Sequence, residues 1–180
     1  HQPAPVSRAF DLLQEAAKDH AADGDGRDVA PCIFNVNRID EAGVQRRINT
    51  CHSRYGGGVA ILGDSHAIDL FGIVASRPQV KFPFIVGVTQ GGCRPHTPMP
   101  SCQYDDFVGF VSRSPGVFRH IVFEQAGFYL LRTDSQPVGS RAMFTDIPLE
   151  YPVKGIFIKK SFVEKDVEYL ERLARYVPTT

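Results

Sequence analysis

The stretch that most limits how this chain can fold is VAILGDSHAIDL, residues 59–70. Three glycines, Gly56 to Gly58, break structure ahead of it, and four consecutive apolar residues, Val59-Ala60-Ile61-Leu62, follow them. A strand without polar alternation is buried on both faces, the condition of a strand inside a parallel sheet. From Ala67 the apolar residues recur as Ala67, Leu70, Phe71, Val74 and Ala75. That is the stripe of a helix packed on the sheet, and Pro78 stops it. Strand and helix meet at Gly63-Asp64-Ser65-His66, at the carboxyl end of the strand, where open α/β sheets bind ligands.

The rest of the chain extends this pattern. Strands are expected at Lys81 to Thr89, with Pro83 placing its start at an edge, and at His120 to Phe123. A short helix is expected from Phe107 to Val111, and longer ones at each end. The first covers residues 6–21, capped by Ser7, with Phe10, Leu13 and Ala17 on one stripe. The last opens with the capping box Ser161-Phe162-Val163-Glu164 and places Val163, Val167, Leu170 and Ala174 inward; Pro178 ends it. Residues 23–28 read as a solvated turn, 30–55 as an irregular lead-in and 132–150 as a surface loop. Alternating strands and helices imply a three-layer α/β sandwich with a mostly parallel sheet. The chain divides into an extension or linker at 1–29 and one domain at 30–180. A crossover helix exists to join two strands, so the last helix is expected to lead into a strand beyond the chain's end.

Charge excludes one large class of function. The 180 residues hold 20 Lys+Arg against 20 Asp+Glu, with no basic stripe to attract nucleic acid. No apolar run approaches the roughly 20 residues that span a bilayer. The opening His1-Gln2-Pro3-Ala4-Pro5 is neither a signal peptide nor a methionine start, as in an excised or processed piece. Cys32, Cys51, Cys93 and Cys102 lack zinc-ligand spacing, and no metal or organic cofactor is expected. Consecutive bridges Cys32–Cys51 and Cys93–Cys102 would each close a short loop and imply an oxidising compartment; four free thiols are the alternative.

Ser65 itself admits two roles. Asp64 or Ser65 can cap the helix, as such residues do in many proteins. Alternatively, the Ser65 hydroxyl is a nucleophile, its own N–H and the helix dipole being ready for an oxyanion, while Gly63 permits the tight turn.

Gly63-Asp64-Ser65-His66-Ala67 after an apolar strand resembles the nucleophile block of the SGNH (GDSL-like) hydrolase superfamily. With Cys32 and Cys51 before it and Cys93-Arg94-Pro95 to Cys102 after it, residues 30–130 resemble more narrowly the SGNH domain fused to membrane acyltransferase-3 proteins. The first helix is similar to the extension that links the membrane part to that domain. The resemblance implies a flavodoxin-like sandwich with Ser65 as nucleophile. It implies an oxyanion hole of the Ser65 N–H, Gly91 or Gly92 after the second strand, and Gln125 where the family carries Asn. Asp64 and His66 would support the site. The family's base, the histidine of a D-x-x-H block, has no counterpart, because no histidine follows His120 and Asp166 has Tyr169 three residues on. Neither His66, adjacent to the serine, nor His96 nor His120 fits the role. The chain is therefore expected to stop before its base.

The function so implied is O-acyl transfer, of acetyl above all, through a Ser65 ester to a hydroxyl of a cell-surface glycan. Acyl donor and glycan acceptor are the partners, together with a membrane acyltransferase domain. That domain would tether the chain to the inner membrane on its periplasmic or other extracytoplasmic side. The alternatives are an extracytoplasmic carbohydrate esterase and an inactive glycan-binding module.

Overall fold

The structure, a computed structural model, describes residues 28–76, 82–133 and 156–177. Its strands are β1 (Asp28–Ala30), β2 (Ile33–Val36), β3 (Gly58–Gly63), β4 (Ile85–Thr89) and β5 (Phe118–Glu124), and they form one sheet in the order β1-β2-β4-β3-β5. All neighbours are parallel except β1, which pairs antiparallel with β2. The helices among the described residues are α1 (Ala42–Tyr55), α2 (Ser65–Ala75), α3 (Tyr104–Arg113) and α4 (Lys160–Ala174). A two-stranded antiparallel ribbon of β6 (Leu131–Thr133) and β7 (Ile156–Ile158) precedes α4.

Handedness sorts the helices into layers. The crossover β2-α1-β3 moves two places across the sheet, β3-α2-β4 moves one place back, and β4-α3-β5 moves forward again. Right-handed connections put a helix on opposite faces when the direction reverses. Accordingly, among the described residues, α2 alone covers one face, where Ala67 and Phe71 meet Ile61 and Ile85. On the other face Ile48 and Cys51 of α1, Phe107 and Phe110 of α3, and Tyr169 and Leu173 of α4 enclose Ala60, Leu62, Val86 and Val88. The chain is a three-layer α/β sandwich, as the alternation implied. Every residue of β3 and of β4 is buried, because both faces of the sheet are covered.

Both expected cysteine pairs are disulfides, with Cα atoms 5.6 Å apart for Cys32–Cys51 and 5.5 Å for Cys93–Cys102. They suit an oxidising, extracytoplasmic setting. Among the described residues no helix is long and apolar enough to cross a membrane.

Four local expectations are corrected. Residues 30–55 are not irregular but carry β2 and α1. The inward face of α1 is short in apolar residues because it is completed by the Cys51 bridge and by Arg47, whose guanidinium lies 3.8 Å from the centre of the Phe34 ring. β4 is not an edge strand; it starts at Ile85, two residues after Pro83, and is bonded to β2 on one side and β3 on the other. The capping box does not form: α4 begins at Lys160, its cap is Lys159, and no side chain caps it. The buried face of α4 is Phe162, Asp166, Tyr169 and Leu173, while Val167 and Leu170 are 46% and 38% exposed. Asp166 interrupts the apolar stripe of the buried face, so the neighbouring face is the more aliphatic one in the sequence. The helix at 6–21 lies outside the described residues, as do residues 23–27 of the turn expected at 23–28 and 134–150 of the loop expected at 132–150; Asp28 falls in β1, and Arg132 and Thr133 fall in β6.

Two stability measurements check this packing. By urea unfolding, Leu173→Ala is expected to cost about 2–4 kcal/mol through the cavity it leaves, whereas Leu170→Ala should stay within about 0.5 kcal/mol. Replacing both cysteines of either bridge with alanine should cost about 3 kcal/mol, given loops of 19 and 9 residues.

Candidate active site at the carboxyl edge of the sheet

Parallel strands bring the ends of β3, β4 and β5 to one level, since Gly63 is in register with both Thr89 and Glu124. The turn after β3 begins with Gly63 at φ +150°, where a side chain would be strained and its Cβ would overlap the Glu124 carbonyl oxygen. This residue must be glycine for β5 to lie so close.

Asp64 follows, with no solvent exposure. It caps α2: its Oδ1 accepts from the His66 N–H at 3.0 Å, and its backbone carbonyl accepts from the N–H groups of Ala67 and Ile68 at 3.1 and 3.2 Å. The second oxygen, Oδ2, accepts the Ala126 N–H at 3.0 Å and lies 3.5 Å from Nε of Arg94, whose side chain is only 10% exposed. One carboxylate therefore ties together the turns after β3, β4 and β5.

Because Asp64 does the capping, Ser65 does not. It is the first residue of α2, it is exposed, and among the described residues its hydroxyl makes no hydrogen bond. Its N–H belongs to the first turn, whose donors have no intrahelical acceptor, and the dipole there favours negative charge. His66 is also exposed and contributes its backbone N–H to Asp64.

The loop after β4 lies on the same edge. Gln90 donates its N–H to the Gly63 carbonyl at 3.1 Å. Gly91 is exposed, and Gly92 is half-buried with φ +82°. The Cys93–Cys102 bridge closes the loop, and the Tyr104 hydroxyl donates to the Cys93 carbonyl at 2.8 Å. Burial first, and the Asp64 charge second, push the Tyr104 hydroxyl above its ordinary pKa, so it acts as a neutral donor. Burial does the same to Tyr169, which donates to the Tyr104 carbonyl at 3.3 Å.

Asp166 meets a histidine after all, from a distant part of the chain. Nδ1 of His96 is 2.9 and 3.0 Å from the two Asp166 oxygens, and the His96 N–H donates to Oδ1 at 3.1 Å. The His96 ring is 2% exposed and stacks on Phe162 at 4.5 Å. Gln125, just past β5, donates its side-chain amide to the same carboxylate. The edge thus gathers Ser65, Asp64, His66, Gly92 and Gln125; no described bond joins Gly92 to Ser65, and the Gln125 amide is engaged with Asp166. Sequence reading missed Arg94 and the His96–Asp166 pair. The visible signals were a cation and an imidazole inside a nine-residue disulfide loop and an acid on the apolar side of α4.

The arrangement offers an accessible hydroxyl at a helix N-terminus on a rigid turn, which can attack an electrophile and deliver the resulting negative charge to backbone donors. Comparison with protein-family models, curated proteins and solved structures returns no match.

Stability separates the two neighbours in the turn. Asp64→Ala is expected to cost about 3–5 kcal/mol, because it strips partners from buried donors and from Arg94. Ser65→Ala should change stability by no more than about 0.5 kcal/mol. A loss of 1 kcal/mol or more at Ser65 by urea unfolding would mark it as a cap.

Proposed function

We propose that this chain is an SGNH-type serine acyl-transfer domain, of the kind fused to membrane acyltransferase-3 proteins. One observation carries the reading: Asp64 takes over the cap, so the exposed Ser65 hydroxyl stands uncommitted at the start of α2. The block Gly63-Asp64-Ser65-His66-Ala67 and the two bridged cysteine pairs agree with it.

In the reaction, Ser65 Oγ attacks the carbonyl carbon of an acyl donor. Negative charge collects on the carbonyl oxygen, for which the Ser65 N–H and a Gly92 N–H are the proposed donors. The leaving group departs with a proton, and an acyl ester remains on Ser65. A sugar hydroxyl then attacks that ester, its proton returns to the serine, and the acylated glycan leaves. A base must take the Ser65 proton, and the family's D-x-x-H has no counterpart in these 180 residues. The reading therefore requires that histidine from outside them. An inner-membrane tether and a periplasmic location belong to the same proposal.

A glycan-binding module without turnover is the second reading, favoured by the burial of the His96–Asp166 pair. An esterase differs from the transferase only in taking water as acceptor.

On p-nitrophenyl acetate, the 180-residue chain should turn over at least about 10³-fold more slowly than a version extended through a D-x-x-H block. Ser65→Ala in the extended version should abolish turnover. Equal rates for the short and extended chains would place the base within these 180 residues, and an active Ser65→Ala variant would remove Ser65 from the chemistry. An inactive extended chain would leave the binding module. Partition of a labelled acyl group between glycan and water separates transferase from esterase.

A further inference from the structure

We propose that the groove at the carboxyl end of β2 is the subsite for an uncharged, hydroxyl-rich sugar chain. This rests on the acyl-transfer reading, for which the groove would hold the acceptor. The groove is a cavity of about 370 Å³ lined by Asp28, Asn35, Asn37, Arg38, Glu41 and Arg47, with Val36 and Val44 as its apolar part. That volume is within the roughly 300–1,000 Å³ of ordinary ligand pockets.

Position links it to the serine. Val36 is in register with Val88 and Leu62 with the same residue, so Asn37 and Gly63 each follow the same level of the sheet. Two strand spacings separate them, about 10 Å. A narrow cleft lined by Asn37, Thr89, Gln90, Gln103 and Gly63 lies between. A sugar chain seated in the groove can therefore extend along the edge toward Ser65.

Charge selects the ligand class. The lining holds two acids and two guanidinium groups, and both cations are already committed. Arg38 binds Asp40 at 3.1 and 2.7 Å, with Glu41 at 3.9 Å. Arg47 binds Asp28 at 2.6 Å and the carbonyls of Pro31 and Ala30 at 2.8 and 3.1 Å, while stacked on Phe34. An anion would have to displace these partners. A sugar hydroxyl both donates and accepts, so it can add to such a lattice by giving to a carboxylate and taking from an amide or guanidinium. Asn35 is suited to this: Thr89 donates to its carbonyl oxygen at 2.9 Å, which leaves its amide nitrogen for a ligand.

The test is a titration of the isotope-labelled 180-residue chain with maltotriose, cellotriose and triacetylchitotriose, and with trigalacturonate as the acidic control, followed by amide chemical shifts. At least one neutral trisaccharide is expected to shift residues 35–47 with a Kd below about 10 mM, and trigalacturonate to bind at least fivefold more weakly. Arg38→Ala/Glu41→Ala, both exposed positions, should weaken binding at least fivefold with Tm unchanged. Ser65→Ala should bind as the unaltered chain does. The inference is overturned if no neutral trisaccharide shifts these residues, if trigalacturonate binds more tightly, or if the double variant binds equally well. If binding persists while the extended chain proves inert toward esters, the subsite stands and only the acyl-transfer reading falls.

Discussion

The Asp64 carboxylate is withdrawn from water, and a buried charge persists only when its oxygens are hydrogen-bonded and its charge is answered. Two backbone N–H groups and the Arg94 guanidinium do this from three separate segments. The cost of leaving any of them unmet makes the turn stiff. Stiffness is what a nucleophilic side chain on the next residue needs, since its hydroxyl must be held by the backbone and not by bonds of its own. Burial of one residue and exposure of its neighbour are two halves of the same arrangement.

From that turn outward the polar groups form a second layer of support. Gln125 follows β5 and binds Asp166, while the adjacent Ala126 N–H binds Asp64. His96 lies two residues beyond Arg94 and binds Asp166 as well. The two carboxylates are thus cross-connected through the same pair of loops. Tyr169 and Tyr104 extend the support to the Cys93 carbonyl, at the root of the disulfide loop. α4 is therefore more than a lid over the apolar core, since two of its four buried residues hold the edge of the sheet in place.

What was legible in the sequence was what is local. The apolar run of β3, the stripe of α2 and a cap at Asp64 or Ser65 all express themselves within a few residues, and physics reads them directly, while the choice of Asp64 as the cap comes from the fold. Cysteine spacing carried the bridges for the same reason. α1 was illegible because its inward face relies on a disulfide and on an arginine stem over Phe34, neither of which looks apolar in a hydropathy pattern. α4 was placed a face away because Asp166 occupies a core position whose partner is 70 residues upstream. Arg94 and His96 look like loop residues until the fold brings Asp64 and Asp166 to them.

That separation has a kinetic side. The nine-residue loop of Cys93–Cys102 can close early, since short loops lose little chain entropy. Contact between His96 and Asp166 must wait until the chain has been made at least as far as Asp166. During vectorial synthesis β1 to β5 can therefore be paired while the carboxyl edge of the sheet is still loose. α4 leaves the ribosome after all five strands of the sheet, so the loop beside the serine is set only once those strands have been made.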